Sequence, residues 1–417
     1  MDIGPFSSIN VSLETLIFYF KLFTPIAIPF LLGLIFWHLW KEYVRRDFIN
    51  KEEYILLELR LPKDTWKGPA AMELVLNQFY QTGGENTFLD RWWRGKVRPW
   101  FSLEIVSIEG QVKFYISLRK AWRRVIESAL YSQYPEVEIY EAPDYAKSVH
   151  FDPKEYKIWT CNFVKSHKLQ NAYPIKTYVD YGLTKDDMKE EFKIDPMTQM
   201  IEALGALGSN EQVWIQFIAR AHKGEQLKPG TFLQLTDEWK DSIKAEVKKI
   251  ILDFKKKMNE DNKEDERAAP FQLTAFESNI IESLERYSTK YPFDVGIRAL
   301  YITKPDSFAP TGVPGLISMF RQYGAPNLNG FKPTGGSASF DYPWQDFMEL
   351  RHNLVRKAAL SAYKRRCYFY APCNEKSFVM NAEELATIYH LPGNVSRTPT
   401  LSRIESKKAQ APGNLPI

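Results

Sequence analysis

The sequence predicts an α+β protein in which an N-terminal transmembrane helix precedes two domains of the element order β-α-β-β-α-β, the second enlarged by a helical hairpin. Two observations lead to this prediction: an uncharged run from Leu22 to Trp40, and strand and helix periodicities that alternate over residues 54–141 and return over residues 155–304. The expected parts are the tail, transmembrane helix and juxtamembrane segment (1–50), the first domain (51–150), the second domain (151–340) with a helical insertion (236–290), a C-terminal helical segment (341–395) and a linker or tail (396–417).

The run from Leu22 to Trp40 contains no Asp, Glu, Lys or Arg. At about 1.5 Å per residue, a helix of this length crosses the hydrocarbon core of a bilayer. We expect the tryptophans at its end to lie at the inner headgroup level, where indole rings are enriched. The expected anchor residues are Leu22, Ile26, Leu31, Leu34, Trp37 and Trp40.

Flanking charge predicts how this helix is oriented. The cations that follow the run are Lys41, Arg45, Arg46 and Lys51. Only Lys21 lies at its front edge, so the positive-inside rule places the residues from 41 onward in the cytoplasm, in a single-pass topology. A cleaved signal peptide is the alternative. Residues 1–12 contain no Lys or Arg and no small-residue cleavage site follows the run, which favours a retained anchor.

The first soluble domain has a clear order of elements. Ile55, Leu57, Leu59 and Leu61 alternate with more polar residues, as in a half-buried strand. A helix from Ala70 to Gln81, opened by Pro69, is expected after this strand. A hairpin follows: a strand with Phe101, Leu103 and Ile105 on one face, a turn at Glu109-Gly110 and a strand from Val112 to Leu118. The last two elements are a helix from Lys120 to Ser132 and a strand at Val137 and Ile139. This order is the ferredoxin-like arrangement.

The second domain is predicted from a short internal repeat. A helix, a Tyr-Pro pair and a strand occur at Ile126 to Val137 and again at Ile281 to Val295. Pro196 opens a helix from Met197 to Leu207 before a strand at Val213, Ile215 and Phe217, and Phe232-Leu233 is all that suggests a second hairpin.

The helical insertion has its own capping signals. Thr236 starts a helix with apolar residues from Trp239 to Met258, residues 259–267 are expected to form a solvated turn, and Thr274 with Glu277 starts a second helix through a capping box. The two helices could project as a hairpin or simply cover a face of the sheet.

The C-terminal part is predicted from composition and capping. Residues 305–336 are rich in Pro and Gly and read as a long loop, and an amphipathic helix follows from Asp341 to the basic trio at 364–366. Cations suit the C-terminal end of a helix, which favours a structural role for this trio. Asn381 with Glu383-Glu384 predicts the cap of a further short helix.

Composition and motifs exclude several classes of protein. The chain is 44% hydrophobic and 25% charged with a net charge of +4, which is too near neutral to indicate nucleic-acid binding by itself.

Cys161, Cys367 and Cys373 form no C-x-x-C pair, so the sequence predicts thiols in a reducing cytoplasm rather than a disulfide framework. Neither a P-loop, nor a dinucleotide fingerprint, nor a metal-binding His or Cys spacing, nor a G-x-S-x-G nucleophile occurs. The sequence therefore predicts a protein that is not an enzyme and has no cofactor.

One segment, residues 91–100, combines cations with tryptophans. Its candidate contact residues are Arg91, Trp92, Trp93, Arg94, Lys96 and Arg98. Such a segment could stack bases and neutralise phosphates of single-stranded nucleic acid. It could equally lie on an anionic membrane surface, or its rings could fill the edge of the core.

Several segments together resemble a known family. They are Trp100 to Gly110 with Val112 and Phe114, Glu127-Ser128, Tyr131 to Pro135, Glu202 to Gly205, Glu211 to Gln216, Asn381 to Pro392 and Ala411 to Pro416. This set resembles the membrane-proximal N-terminal region of conjugation-type DNA-transfer ATPases of bacterial type IV secretion, in the versions of candidate-phyla bacteria. In relatives that carry an ATPase, a Pro-Asn-Leu-Pro-like element leads into the P-loop domain, whereas here Pro412 to Pro416 is followed by Ile417.

The resemblance implies a function. It suggests a non-enzymatic accessory or scaffold component in the bacterial cytoplasmic membrane that positions a separate P-loop transfer ATPase, with a homo-oligomeric ring as one arrangement. Two alternatives remain: a membrane-tethered module that binds single-stranded DNA, and an enzyme whose site is assembled from residues that form no recognisable motif.

Overall fold

The structure is a computed structural model that describes residues 13–62, 67–85, 87–167, 171–184, 194–224, 226–227, 235–261, 274–336, 342–393 and 403–404. The chain divides into two compact units, each described by itself below. The first unit comprises Met1–Glu52 and Gly84–Val97, and the second comprises Glu53–Gly83 and Arg98–Ile417.

The described elements are numbered along the chain. The helices are α1 (Leu13–Lys51), α2 (Pro69–Gln78), α3 (Phe88–Trp92), α4 (Arg123–Gln133), α5 (Pro196–Gly205), α6 (Glu238–Asp261), α7 (Ala275–Thr289), α8 (Gly312–Ser318), α9 (Leu350–Lys364) and α10 (Ala382–Ile388). The strands are β1 (Tyr54–Pro62), β2 (Trp100–Ile108), β3 (Gln111–Arg119), β4 (Glu138–Glu141), β5 (Lys157–Lys165), β6 (Glu211–Ala221), β7 (Gln226–Leu227), β8 (Leu235–Thr236), β9 (Pro292–Thr303), β10 (Phe331–Thr334), β11 (Phe378–Asn381) and β12 (Arg403–Ile404).

The first unit contains α1 and the short helix α3. The part of α1 from Phe20 to Lys51 has a mean hydropathy of 1.9 in its most apolar window, and none of that window is buried. A core helix of a soluble protein would be covered by other elements, whereas α1 exposes large side chains such as Phe23, Ile26 and Phe30. The protein therefore has an N-terminal helix that is long and apolar enough to span a membrane.

The second unit is a mixed α+β structure built on a 10-stranded sheet. Its path is β10-β5-β9-β6-β2-β3-β1-β12, with β4 beside β1 and β11 beside β9. Every pair is antiparallel except β1 with β12. Strands β2 and β6 pair from Trp100 with Arg220 to Ile108 with Gln212, and we call this pairing the seam. The seam joins two halves of the sheet, β4-β1-β3-β2 and β6-β9-β5-β10, whose strand orders mirror each other.

Helices cover one face of this sheet. Alternate residues of β1, β2 and β3 point to that face, which explains why Leu57, Leu103 and Ile116 are fully buried. Helices α2, α4, α5, α8 and α10 contribute to the same apolar cluster. In α2 the predicted helix is correct in position but ends at Gln78 rather than Gln81.

The other face carries a second, smaller apolar cluster. Trp214 and Leu300 from the sheet pack there against Leu360 and Tyr363 of α9. The helical insertion forms a third cluster, in which Trp239 of α6 packs with Leu284 and Tyr287 of α7, so the two helices form a packed pair. The capping box of Thr274 and Glu277 is present as predicted.

Several sequence predictions need correction. The stretch after Lys304 is not one long loop, because it contains α8 and the sheet strand β10. Short 3-10 turns precede α9, which begins at Leu350 rather than near Asp341. Helix α6 continues through Asp261, whereas residues 262–267 and Phe232-Leu233 lie outside the described residues.

The Tyr-Pro repeat does not relate equivalent strands. The strand that follows Tyr134-Pro135 is β4, which lies beside β1, whereas the strand that begins at Pro292 is β9, between β5 and β6. By position in the sheet, β9 corresponds to β3, and the insertion therefore lies between the second and third strands of its half.

Candidate functional site

The arginine and tryptophan segment belongs to a loop that we call the juxtamembrane loop, Gly84–Val97. Thr87 caps α3 there, because its hydroxyl oxygen accepts a hydrogen bond from the Asp90 N–H at 3.1 Å. After α3 the chain turns back, and the amides of Arg94 and Lys96 donate to the carbonyls of Leu89 and Asp90, both at 2.9 Å. The loop is thus closed on itself by local hydrogen bonds.

Gly95 brings this loop against the backbone of α1. Its φ is +62°, a conformation that favours glycine, and a Cβ atom at this position would lie 2.2 Å from the carbonyl oxygen of Val44. Any side chain would therefore push the loop away from the helix.

Tryptophans from α1 and from the loop form one aromatic cluster. The centroids of Trp37 and Trp92 are 5.8 Å apart, and those of Trp40 and Trp93 are 5.5 Å apart. The ammonium group of Lys41 lies 5.0 Å from the centroid of Trp92, within the range of a cation–π contact. Two of the predicted anchor residues and two of the predicted loop residues therefore meet in one place.

Most cations of the segment have partners inside the loop. Asp90 lies 3.2 Å from Arg94 and 3.0 Å from Lys96, and Arg91 donates to the carbonyl of Glu85 at 3.4 Å. Hydrogen bonds from Thr87 and then Lys96 lower the pKa of Asp90 to about 2. The carboxylate is therefore charged at neutral pH, and it offsets the positive charge that the sequence shows.

Arg98 does not join this site. It belongs to the second unit, where its side chain is buried, donates to the carbonyl of Ala221 at 2.6 Å and lies 3.5 Å from a carboxylate oxygen of Asp294. The grouping of Arg98 with the other loop cations is therefore wrong: this guanidinium has an internal role, since it satisfies buried acceptors next to β2 and β9.

The loop also presents apolar side chains to its surroundings. Phe88, Leu89 and Trp93 are 65%, 59% and 59% exposed. The other predicted anchor residues, Leu22, Ile26, Leu31 and Leu34, are exposed along α1. An aromatic cluster at the end of an apolar helix, edged by cations, has the composition of a membrane–water interface.

Comparison with known families gives a match over most of the chain. A model of the family described as Domain of unknown function (DUF8128) matches residues 51–403. The chain belongs to the DUF8128 family. Comparison with curated proteins finds no match. The DUF8128 match begins at the last residue of α1, so it includes the whole juxtamembrane loop and leaves the apolar part of the helix outside.

A second surface of this DUF8128 chain lies just before and within α9, and we call it the apolar patch. Its exposed members are Tyr342, Trp344, Phe347, Met348, Leu350 and Leu354. Met348 and Glu349 both have positive φ, at 54° and 56°, which is strained for residues other than glycine. Sequence reasoning assigned these residues to an amphipathic helix and missed the patch, although the density of aromatic residues at 342–348 was a visible signal.

Asp346 fixes the start of α9 beside this patch. Its carboxylate accepts from the amides of Arg351 and His352, both at 2.8 Å. Burial raises the pKa of Asp346, but these hydrogen bonds outweigh it and the net pKa is lowered. The patch is thus held on a capped helix.

Glu383 and Glu384 are held within the fold. Glu384 forms a capping box with Asn381, as predicted, and its carboxylate lies 2.8 Å from the ammonium of Lys165, with both side chains fully buried. Burial raises the pKa of Glu384 and lowers that of Lys165, whereas their mutual attraction opposes both shifts. Glu383 lies 3.2 Å from Arg286. These contacts give both carboxylates a structural role.

The cysteine prediction needs correction. Cys367 and Cys373 are joined in a disulfide with Cα atoms 6.0 Å apart, and Cys161 is free and buried. The sequence contains no C-x-x-C pair, and the approach of the two residues depends on the chain reversal that follows α9.

Proposed function

We propose that this chain is a non-enzymatic, membrane-anchored scaffold of a type IV secretion-like or conjugative transfer machine, and that it positions a separate P-loop ATPase. The observation that carries the proposal is the apolar patch, in a chain that also has a helix able to span a membrane. Soluble surfaces rarely expose so many large apolar side chains together unless a partner covers them. The kind of machine comes from the sequence resemblance alone.

We further propose that the second unit faces the bacterial cytoplasm and that the juxtamembrane loop lies on the inner membrane surface. The cations after the apolar run support this orientation, because they favour the cytoplasmic side. The cluster of Trp37, Trp40, Trp92 and Trp93 supports the membrane contact, since indole rings concentrate at the headgroup level.

The sheet is proposed to consist of two ferredoxin-like halves. The support is the strand order, because β4-β1-β3-β2 and β10-β5-β9-β6 both follow the order 4-1-3-2 of four strands numbered along the chain. A scaffold gains from this arrangement, since the seam between β2 and β6 makes one continuous sheet that can hold distant surfaces in fixed positions.

The test is an affinity purification of the full-length chain from detergent-solubilised membranes of its native cells. We expect a P-loop ATPase to copurify with the wild type and to be lost with the double variant Trp344→Ser/Phe347→Ser. Phe276→Ser is the matched control, because Phe276 is 60% exposed on α7, away from the patch residues in sequence. Equal recovery of the ATPase with the patch variant, or no ATPase with the wild type, would contradict the proposal. ATP hydrolysis by the purified chain at a motor rate would contradict its non-enzymatic part.

The nucleic-acid alternative has a separate test. It would act through Arg91, Arg94 and Lys96, and it is weakened because these cations have partners in the loop. It predicts binding of a single-stranded oligonucleotide with a steep salt dependence that decreases when the three residues become Ala. We expect no such salt-dependent binding.

A further inference from the structure

Arg298 is a buried cation without a full set of partners. It lies on β9, on the face that α9 covers, and is 2% exposed. Its Nη2 donates to the carbonyl of Cys367 at 3.3 Å, and its guanidinium carbon is 5.5 Å from the centroid of Tyr368. Among the described residues, its Nη1 has no hydrogen-bond partner, although the atom is fully buried.

A neighbouring arginine shows how the same protein satisfies such a group. Arg366 is also buried, and it lies 2.8 Å from Glu104 and 3.0 Å from Asp144. Within the described part of the chain, Arg298 has no carboxylate within 4.0 Å, so its charge is left incompletely compensated. Burying a guanidinium is costly unless an anion and hydrogen-bond acceptors accompany it.

A cleft of about 370 Å³ opens next to this guanidinium. One wall is α9, which turns small side chains such as Ala358, Ala359 and Ala362 toward the space. The opposite wall is β5, where Asn162 pairs directly with Arg298 across the strands. The small residues leave room that a larger aliphatic side chain would have filled.

The charges that line the cleft favour an anion. They are those of Arg298, Arg365 and Glu375. Arg365 is exposed, so it can contact an anion that approaches from solvent. Arg298 is buried, and a charge-assisted hydrogen bond is stronger in such a low-dielectric environment than in water. Glu375 offsets part of this charge, which leaves one positive charge in excess.

We propose that this cleft binds an oxyanion, the carboxylate or phosphate group of a small molecule, and that the guanidinium of Arg298, a residue that lines the cleft, is the cation that recognises it. The polar side chain of Asn162 is a second candidate donor at the same wall. This site is independent of the apolar patch and of the proposed scaffold function.

The competing explanation is an ordered water. Gln216 pairs with Arg298 on the other side, and its Oε1 also has no partner among the described residues. A single buried water could join that oxygen to Nη1 and satisfy both atoms. This arrangement would not respond to anions, so the experiment distinguishes the two.

The test uses the full-length chain in nanodiscs. Thermal unfolding is followed with increasing inorganic phosphate in one arm and acetate in the other, against chloride at matched ionic strength. We expect a saturable rise of the unfolding midpoint with at least one of the two anions, and the more effective one identifies the chemical source. Binding should weaken by roughly tenfold or more in Arg298→Met, because a charge-assisted hydrogen bond is worth about that in affinity.

Two further variants keep the test independent of folding. Ala362→Leu fills the cleft but retains Arg298, and it should also abolish the anion effect. Lys357→Met changes an exposed cation of α9 that does not line the cleft, and it should leave the effect unchanged. The proposal is overturned if neither anion gives a saturable shift, or if the shift persists undiminished in Arg298→Met or in Ala362→Leu.

Discussion

The indole nitrogen of Trp40 donates a hydrogen bond to the carbonyl oxygen of Trp92 at 3.2 Å. One helical turn further along α1, Gly95 lies against the backbone carbonyl of Val44. Residues four apart lie on one face of a helix, so these two contacts attach the juxtamembrane loop to a single stripe of α1. The loop is therefore an extension of α1, with its own exposed aromatic side chains.

Gly95→Ala is expected to separate the loop from α1. The added methyl group would clash with the Val44 carbonyl, and a left-handed conformation costs an alanine about 1–2 kcal/mol before any clash. Hydrogen exchange of the peptide that covers the loop should become faster. Gly83→Ala is the control, because a Cβ there has no atom within 4 Å, and equal exchange in both variants would contradict the role of Gly95.

Asp90 is expected to titrate far below an ordinary aspartate. Its pKa is lowered to about 2 from 3.8, so the charged carboxylate contributes fully to loop stability above pH 3.8 and loses this contribution as the pH falls through about 2. Carbon NMR of the labelled carboxyl group, assigned by its loss in Asp90→Asn, measures this midpoint. At neutral pH, Asp90→Asn should also speed hydrogen exchange in the loop, and a midpoint near 3.8 would show that the Thr87 and Lys96 contacts are absent in solution.

Sequence patterns predicted the elements whose formation depends on residues close together in the chain. The alternation in β1, the capping boxes of α7 and α10 and the apolar run of α1 are visible in sequence because each uses neighbours within a few residues. Strand β10 was missed because Pro333 and nearby glycines mask a strand. Pro is tolerated there because β10 is an edge strand among the described strands, with β5 as its neighbour.

The site shows where sequence reasoning ends. The sequence predicts Trp40 at the headgroup level and leaves Trp92 open between nucleic acid, a membrane surface and core packing. It does not predict their contact, which depends on Gly95, because the need for a positive φ there appears only once the loop meets α1. Arg94 and Arg98 look alike in the sequence. Arg94 pairs with Asp90 on the loop, whereas Arg98 is buried and donates to the carbonyl of Ala221. Burial of that kind depends on β2 pairing with distant strands, which no local pattern encodes.

The juxtamembrane loop is expected to lie at the depth of the lipid headgroups. A spin label at Leu89→Cys should show intermediate accessibility to oxygen and to a polar quencher, whereas a label at Leu34→Cys, in the middle of α1, should show deep burial. Both native side chains are exposed, at 59% and 53%, so labels fit without disturbing the packing. The native cysteines do not compete, since Cys161 is buried and the other two are paired. A label at Leu89→Cys with the accessibility of bulk water would remove the membrane contact.

Arg366 is expected to be a main determinant of how the end of α9 is held on the sheet. Its guanidinium lies 2.8 Å from the fully buried Glu104, so Arg366→Met would leave that carboxylate charged and unpaired by its principal partner. Loss of one member of a buried pair costs roughly 3–5 kcal/mol, whereas Arg365→Met next to it changes an exposed side chain and should cost about 0.5 kcal/mol or less.

The double variant Glu104→Gln/Arg366→Met should regain much of the loss, because the buried charge is then absent. Chemical denaturation of the micelle-bound chain, followed by tryptophan fluorescence, gives the free energies of unfolding of the wild type, of the single variants Glu104→Gln, Arg366→Met and Arg365→Met, and of the double variant. Additive losses in the double variant would show that the two residues do not stabilise each other.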